Sequence, residues 1–198
     1  ANINGDISEE AKFINAVNTI TKSNGNFKLE STDGLGFMAD LNHKEIGIAG
    51  KTILIVGAGA AVESILFRLV RSNPAKITIH NRTEEKAYRL CSNYPNHNLV
   101  FTSQEDEEYD IVINGSSAGL TGTFNPPKDI TVTNKTIFYD LNYSLGKTPF
   151  CEWSLETSKS VYDGTGMLVN QAAQSFKLWF GVTPETDQVS EDLKSLAK

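Results

Sequence analysis

Gly57-Ala58-Gly59 breaks the apolar run Lys51-Thr52-Ile53-Leu54-Ile55-Val56 and leads through Ala60 and Ala61 into a helical pattern. Backbone without side chains can turn tightly there and come close to a pyrophosphate. The phosphate charge then rests on the free N–H groups of a helix N-terminus. That chemistry belongs to a dinucleotide-binding strand–turn–helix unit. About twenty residues further on, the next strand ends in His80-Asn81-Arg82-Thr83. NAD sites place an Asp or Glu there for the ribose 2′-hydroxyl. Asn81, Arg82 and Thr83 instead offer a cation and hydrogen-bonding groups suited to a 2′-phosphate, so the expected cofactor is NADP. Lys86 comes one helical turn after Arg82. It either joins Arg82 on the same phosphate or is a solvated helix lysine. Val62 holds the third fingerprint position, where Gly or Ala is usual, and is expected to loosen the helix–strand packing.

Four further polar residues are candidates for a small hydroxylated ligand. Asp33 stands in Ser31-Thr32-Asp33-Gly34 at a helix start and is either an N-cap or a ligand group. Asn18 lies among apolar residues of a short strand, where its amide must find partners in the hairpin or in a ligand. Gln171 falls one to two turns into a long helix, on roughly the face of Gly164 and Met167, as a surface residue or a ligand residue. Tyr143 comes just past the C-terminal end of a strand, where open α/β sheets bind ligands and where a packing tyrosine also fits. Cys91 and Cys151 form no CxxC pair, and His43, His80 and His97 have no ligand-like spacing. They read as bystander thiols in a reducing cytosol and as no metal site.

The elements that must position these groups alternate regularly from Lys51 onward. Strands are expected at 51–57, 76–81, 99–101, 109–114, 136–141 and 160–162, with helices over about 60–72, 83–92 and 164–180. An acidic linker, Gln104 to Glu108, separates the third and fourth strands. Such alternation implies a parallel sheet covered on both faces. Upstream, a strand Ala16-Val17-Asn18-Thr19-Ile20 turns at Ser23-Asn24-Gly25-Asn26 into a return strand Lys28-Leu29-Glu30. A helix then starts near Gly34 with Leu35, Met38 and Leu41 at helical spacing, and Gly47 to Gly50 marks a break. The polar stretch 184–198 reads as a final exposed helix.

Composition narrows the function. The 198 residues suffice for one good-sized domain or two small ones, and hydrophobic content of 39% with 21% charged residues fits a soluble globular protein. No run approaches the roughly 18 apolar residues of a membrane span, and the polar, acidic start Ala1 to Lys12 does not read as a signal peptide. A net charge of −6 without a basic stripe argues against nucleic acid as a partner. A cytoplasmic protein acting on a small molecule is the expectation.

Taken in order, Ala16-Val17-Asn18-Thr19, Ser31-Thr32-Asp33-Gly34, Gly57 to Ala61 with Asn81-Arg82-Thr83, and Asp163-Gly164-Thr165-Gly166-Met167-Leu168-Val169-Asn170-Gln171-Ala172-Ala173 resemble the shikimate dehydrogenase family. Lys147-Thr148-Pro149-Phe150 and Trp179-Phe180-Gly181 add to the match, which runs through nearly the whole chain. The resemblance implies reversible, NADP-linked reduction of 3-dehydroshikimate to shikimate in a cleft between two domains. It implies a Rossmann-type doubly wound parallel sheet over 41–164, a remnant of a second α/β, substrate-binding domain over 1–40, and C-terminal helices over 165–198, the first packing back toward the substrate domain. By position, Asn18, Asp33 and Gln171 would hold substrate hydroxyls, with Tyr143 beside them. Gly57, Ala58, Gly59, Ala60 and Ala61 would bind the pyrophosphate; Asn81, Arg82, Thr83 and Lys86 the 2′-phosphate. Leu141 and Gly164 would border the nicotinamide, Met167 would pack near it, and Glu9 would lie close to the cofactor cleft.

The sequence departs from the family pattern in places. Ser31 replaces an Asn, Ala60 a Gly, and Lys86 an Arg, which keeps charge but loses the planar fork, so weaker NADP selectivity is expected. The family's catalytic lysine, in a Pro-x-Lys segment, would fall upstream of Ala1. Asp33 is the other half of that proton-transfer pair. The expectation is therefore a chain that binds NADP with little or no turnover. Two other readings stay open: a non-catalytic NADP-binding module, and a dehydrogenase of quinate or another cyclic polyol. The strands around Asn18 and the face of helix 34–42 are expected to lack sheet partners. That leaves residues 1–40 mobile or buried against a second copy, as in a homodimer.

Overall fold

The computed structural model describes residues 5–97, 99–101, 108–117, 122–128 and 130–196. Of the acidic linker Gln104 to Glu108, only Glu108 falls among them. The chain begins with β1 (Gly5–Ile7) and α1 (Glu9–Phe13), whose N-cap Ser8 accepts from the Ala11 N–H at 3.3 Å. A turn with Asn15 in the left-handed region then leads to the hairpin of β2 (Thr19–Ser23) and β3 (Asn26–Glu30). Asn24 and Gly25, at φ 51° and 82°, make the two-residue turn that fits the right-handed twist of paired strands. That turn fixes the register, with Ser23 opposite Asn26 and Thr19 opposite Glu30. β2 therefore starts three residues later than the sequence suggests, and Asn18 sits just ahead of it rather than inside a strand. β1 pairs parallel to β3, so β1 and β2 are the two edges of a three-stranded sheet. At three residues β1 is too short to show an alternation.

Helix α2 (Asp33–His43) buries Phe37 and Leu41 on one stripe, leaving Leu35 and Met38 half-buried. It is not the unpartnered face expected. It lies between α3 (Ala60–Leu69) and α6 (Thr165–Phe180), and it runs straight through the domain boundary expected at 40/41. At the α2–α6 crossing the helices come so close that a Cβ on Gly36 would collide with the backbone of Gln171.

The large sheet holds β4 (Thr52–Val56), β5 (Lys76–His80), β6 (Leu99–Phe101), β7 (Ile111–Asn114), β8 (Ile137–Asp140) and β9 (Val161–Tyr162). All are parallel, in the order β6-β5-β4-β7-β8-β9. By rank along the chain that is 3-2-1-4-5-6, the doubly wound dinucleotide-binding arrangement, with its switch point between β4 and β7. The period-two alternation of the strands feeds two cores. Ile53, Ile55, Ile77, Ile79, Ile111 and Ile113 pack with α2, α3 and α4 (Glu84–Ser92) on one face. Leu54, Val56, Val112 and Phe138 pack on the other with Phe150 and Cys151 of α5 (Pro149–Leu155). Each of these aliphatic side chains contributes about 1.5–3 kcal/mol by its burial. Helix α5 was not anticipated, although Thr148-Pro149 is a helix-start signal: Thr148 caps it, accepting from the Cys151 N–H at 3.2 Å. A last helix, α7 (Asp187–Ser195), matches the expected polar C-terminal one. No helix among the described residues is long and apolar enough to cross a membrane.

Val62 does not loosen the packing. It is fully buried, and its side chain occupies the space that a Cβ on Gly115 would need. The bulk missing at position 115 on the neighbouring strand's exit is what admits a branched residue at position 62.

Candidate functional site

Every strand of the parallel sheet points its C-terminal end the same way, so the loops leaving β4, β5 and β7 form one rim. A cleft of about 540 Å³ opens at this rim, over the β4/β7 switch point. It is lined by Gly57, Ala58 and Gly59 after β4, by His80 to Thr83 with Lys86 at β5 and α4, and by Gly115 to Ser117 after β7. The Gly57 N–H donates to the His80 carbonyl at 2.7 Å, which locks the two turns together. Gly57 has φ 112°, and a Cβ there would lie 2.8 Å from the Gly115 backbone. Gly59 is the N-cap of α3 and has no capping side chain, so the first-turn N–H groups, those of the exposed Ala60 and Ala61 included, lack a side-chain partner among the described residues. Asn81 folds its amide onto the Thr83 carbonyl at 2.7 Å and shapes the second turn. Arg82 precedes the N-cap Thr83 and Lys86 sits in the first turn of α4, so a loop and a helix, not one helical face, bring both cations to the cleft. Neither pairs with a carboxylate among the described residues.

A second group forms where the small sheet meets α2 and α6. The Asn18 amide donates to Asp33 Oδ1 at 2.7 Å, and its carbonyl oxygen accepts from the Thr32 N–H, Thr32 Oγ1 and Thr19 Oγ1 at 3.0, 3.1 and 3.0 Å. These donors fix which end of the amide faces the carboxylate. Thr32, not Asp33, is the N-cap of α2, and its hydroxyl serves Asn18 instead of the helix end. Asp33 lies in the first turn, where the helix dipole favours a carboxylate. Ser175 of α6 meets Thr19 Oγ1 at 2.6 Å and Thr32 Oγ1 at 3.1 Å, and donates to the Gln171 carbonyl at 3.2 Å. Gln171 is one helical turn ahead of Ser175 on α6. Tyr143 is exposed in the loop after β8, and no hydrogen bond joins it to Asn18, Asp33 or Gln171. Thr19, Thr32 and Ser175 were not singled out by sequence, because hydroxyls carry no spacing signal of their own.

The residues expected to border a nicotinamide, Leu141, Gly164 and Met167, are not among those lining the cleft. Leu141 packs against the main core that contains Met167, and the Gly164 N–H donates to the Asn142 carbonyl at 2.9 Å. Asp140, at the end of β8, is fully buried, and burial raises its carboxyl pKa against the pull of several hydrogen bonds. The signal that could have exposed it is a charged residue ending a strand as apolar as Ile137-Phe138-Tyr139. Asn114 ends β7 in the same way.

Glu9 is not at the cleft. It is exposed and pairs with Arg71 at 3.4 Å, at the C-terminal end of α3, while the cleft lies at that helix's N-terminus. A ten-residue helix is about 15 Å long. Its neighbour Glu10 is the buried partner, pairing with Arg68 and so tying α1 to α3. Burial nonetheless leaves the Glu10 carboxyl pKa raised.

A parallel sheet with a phosphate-type turn at its switch point, next to a carboxamide–carboxylate pair, is the build of a nicotinamide-dependent dehydrogenase. Comparison with known proteins agrees. The profile of the family described as shikimate / quinate 5-dehydrogenase matches residues 40–122, and that of the shikimate 5′-dehydrogenase C-terminal domain matches residues 164–193. The shikimate dehydrogenase (NADP(+)) of Colwellia psychrerythraea is 37% identical over 197 residues, covering 98% of this chain and 72% of that protein. Among solved structures, shikimate 5-dehydrogenase from Thermus thermophilus in complex with NADP(H) and shikimate superposes with a TM-score of 0.83 at 26% identity. It covers 96% of this chain and 72% of that one. The 5-ketofructose reductase of a Gluconobacter strain superposes with a TM-score of 0.81 at 30% identity, covering 96% and 72%. The chain belongs to the shikimate dehydrogenase family.

Proposed function

We propose that this chain binds NADP(H) in the switch-point cleft and holds shikimate or 3-dehydroshikimate beside it, the pair of ligands its relatives are named for. The observation that carries the reading is one cleft with a bare-backbone turn at one side and two cations, Arg82 and Lys86, at the other that pair with no carboxylate among the described residues. That combination fits a pyrophosphate and a 2′-phosphate held together. When bound, the cofactor supplies or accepts the hydride. Gly57 to Ala61 hold its pyrophosphate through backbone N–H groups. Asn81, Arg82, Thr83 and Lys86 hold the 2′-phosphate, while Leu141, Gly164 and Met167 back the nicotinamide. Asn18, Asp33 and Gln171 bind the hydroxyl groups of the ring, with Tyr143 closing over them from its loop. The division into a substrate-domain portion over 1–40, a nucleotide domain over 41–164 and C-terminal helices over 165–198 belongs to this reading, as does a cytoplasmic setting.

Among the described residues no lysine or arginine is within ion-pair reach of Asp33, whose recorded side-chain partner is the Asn18 amide. A proton donor must stand within hydrogen-bond reach of the reacting oxygen. These 198 residues by themselves are therefore proposed to bind the cofactor while turning over little. Calorimetric titration with NADP and then NAD tests the reading: micromolar NADP binding with much weaker NAD binding is expected. Binding of neither would overturn it. Steady-state rates with shikimate near those of the relatives would overturn the low turnover alone. Likeness to a 5-ketofructose reductase favours one second reading, a dehydrogenase of another polyol. Rates across shikimate, quinate and ketoses separate the two.

A further inference from the structure

Asp140 gathers four hydrogen bonds onto one buried carboxylate. Its Oδ1 accepts from Asn114 Nδ2 at 2.9 Å, from the Asn142 N–H at 3.0 Å and from Asn142 Nδ2 at 2.9 Å. Its Oδ2 accepts from Thr148 Oγ1 at 2.6 Å. Burying an ionised carboxylate is costly unless donors surround it, and these donors come from three separate segments: the end of β7, the loop after β8, and the start of α5. The partners extend the network to the cleft. Asn142 Nδ2 also donates to the Ser116 carbonyl at 3.0 Å, and Asn114 Oδ1 accepts from the Ser116 N–H and hydroxyl at 3.1 and 2.7 Å. The Leu141 N–H donates to the Asn114 carbonyl at 2.8 Å, and the Asn142 carbonyl receives the Gly164 N–H.

We infer that Asp140, acting through Asn142, is a positioning residue that clamps Ser116, which lines the cleft, to Leu141 and Gly164, the residues the cofactor reading sets against the nicotinamide. It thereby sets the width of the slot for the nicotinamide ring. The inference rests on the cofactor reading above. Gly57 to Gly59, Arg82 and Lys86 take no part in the clamp's hydrogen bonds. A carboxylate is required because Asn at position 140 offers one acceptor oxygen instead of two and turns an amide toward Thr148 or Asn142.

The test uses two ligands that differ at the nicotinamide end. 2′,5′-ADP carries the adenosine and 2′-phosphate without a nicotinamide. NADPH carries the ring, whose emission strengthens and moves to shorter wavelength when it is confined. Asp140→Asn and the milder Asn142→Ala, which removes the side-chain amide joining Asp140 Oδ1 to the Ser116 carbonyl but keeps the backbone bonds of residue 142, are compared with the wild-type chain. Both variants are expected to bind 2′,5′-ADP within about twofold of wild type. Their NADPH affinity should fall about tenfold, the size of one lost hydrogen bond to a charged group, and most of the emission change should vanish. Emission changes like those of wild type in both variants would overturn the clamp. So would a parallel loss of 2′,5′-ADP binding in Asn142→Ala, or wild-type NADPH bound with unchanged emission. Failure of the wild-type chain to bind 2′,5′-ADP would instead overturn the cofactor reading on which the clamp rests.

Discussion

Adding one methyl group at Gly59 or at Gly57 separates what the turn does for the protein from what it does for a ligand. At Gly59 the backbone is extended, at φ −97° and ψ 179°, and a Cβ meets nothing within 4 Å. Gly59→Ala therefore leaves the free protein nearly unchanged. A gain of about 0.4–1 kcal/mol from the stiffer unfolded chain is set against roughly 0.5–1 kcal/mol for a poorer N-cap. The same methyl stands where backbone and pyrophosphate approach one another. At a concentration of NADP a hundredfold above Kd, binding stabilises the wild type by about 2.7 kcal/mol. A tenfold weaker variant at that concentration retains about 1.4 kcal/mol. Each kcal/mol moves Tm by about 2–4 °C in a chain of 198 residues. The NADP-induced rise in Tm should thus shrink from about 5–11 °C to about 3–6 °C, with the ligand-free Tm constant. Gly57→Ala should do the reverse, because φ 112° is left-handed and the Cβ lies 2.8 Å from Gly115. Strain of about 1–3 kcal/mol lowers the ligand-free Tm by about 2–12 °C before any NADP is added. Thermal unfolding with and without NADP reads both. A Gly59→Ala protein with a wild-type NADP-induced rise would refute the placement of the pyrophosphate. A ligand-free Tm lowered more at position 59 than at 57 would refute the steric argument.

Three other outcomes are expected. Arg82→Ala combined with Lys86→Ala should weaken NADP by about 10–100-fold, as loss of charged hydrogen bonds predicts, while NAD affinity stays level; paired titrations check this. Phe37→Ala empties the centre of the α2–α3–α6 contact, where Phe37 is fully buried edge-on to Tyr139, and should cost about 3–5 kcal/mol by denaturant unfolding. Burial raises the Glu10 carboxyl above its ordinary pKa of 4.5, so the folded chain binds that proton more tightly than the unfolded chain does. Wild-type stability relative to Glu10→Gln should then fall as pH rises from 4.5 through the folded value and level off above it. A pH series of unfolding curves in which the difference stays flat would show that Arg68 fully offsets the burial.

The parallel half of this fold is legible in sequence because its strands are short apolar runs punctuated by glycine, and Gly57-Ala58-Gly59 and Asn81-Arg82-Thr83 fall at their ends. The small sheet is less so. Its hairpin follows from Asn24-Gly25, but the start of β2 depends on the turn fixing the register and on Asn15 taking up slack after α1. The length of β1 hides it altogether. Helix α5 is legible in Thr148-Pro149, a capping hydroxyl followed by a proline at the first helical position. Asn18 and Asp33 are fifteen residues apart in the chain, and their direct contact is a tertiary fact that spacing does not contain. Glu9 shows the converse error. A position carried over from a family pattern says nothing of local packing, and here burial of Glu10 against Arg68 turns Glu9 outward, onto Arg71.

The two ligand groups are held by different forces, which determines how each can be perturbed. The cleft turns hang on strand ends whose register is fixed by backbone hydrogen bonds and by two aliphatic cores, so the backbone at Gly57 and Gly115 moves only if the sheet does. Asn18, Asp33 and Gln171 depend on side-chain hydrogen bonds and on one close helix crossing at Gly36. Hydrogen bonds of this kind are worth about 0.5–1.5 kcal/mol each, against about 1.5–3 kcal/mol for each buried aliphatic side chain of the strands. The group of Asn18, Asp33 and Gln171 is thus the softer of the two. Asp140 and Asn142 lie at the seam. Their hydrogen bonds reach β7 and the loop after β8 on one side and the start of α6 on the other, and α6 carries Gln171 two turns further on. Order around Asp140 and Asn142 is therefore the link through which the rigid half of the molecule can set the position of the softer one.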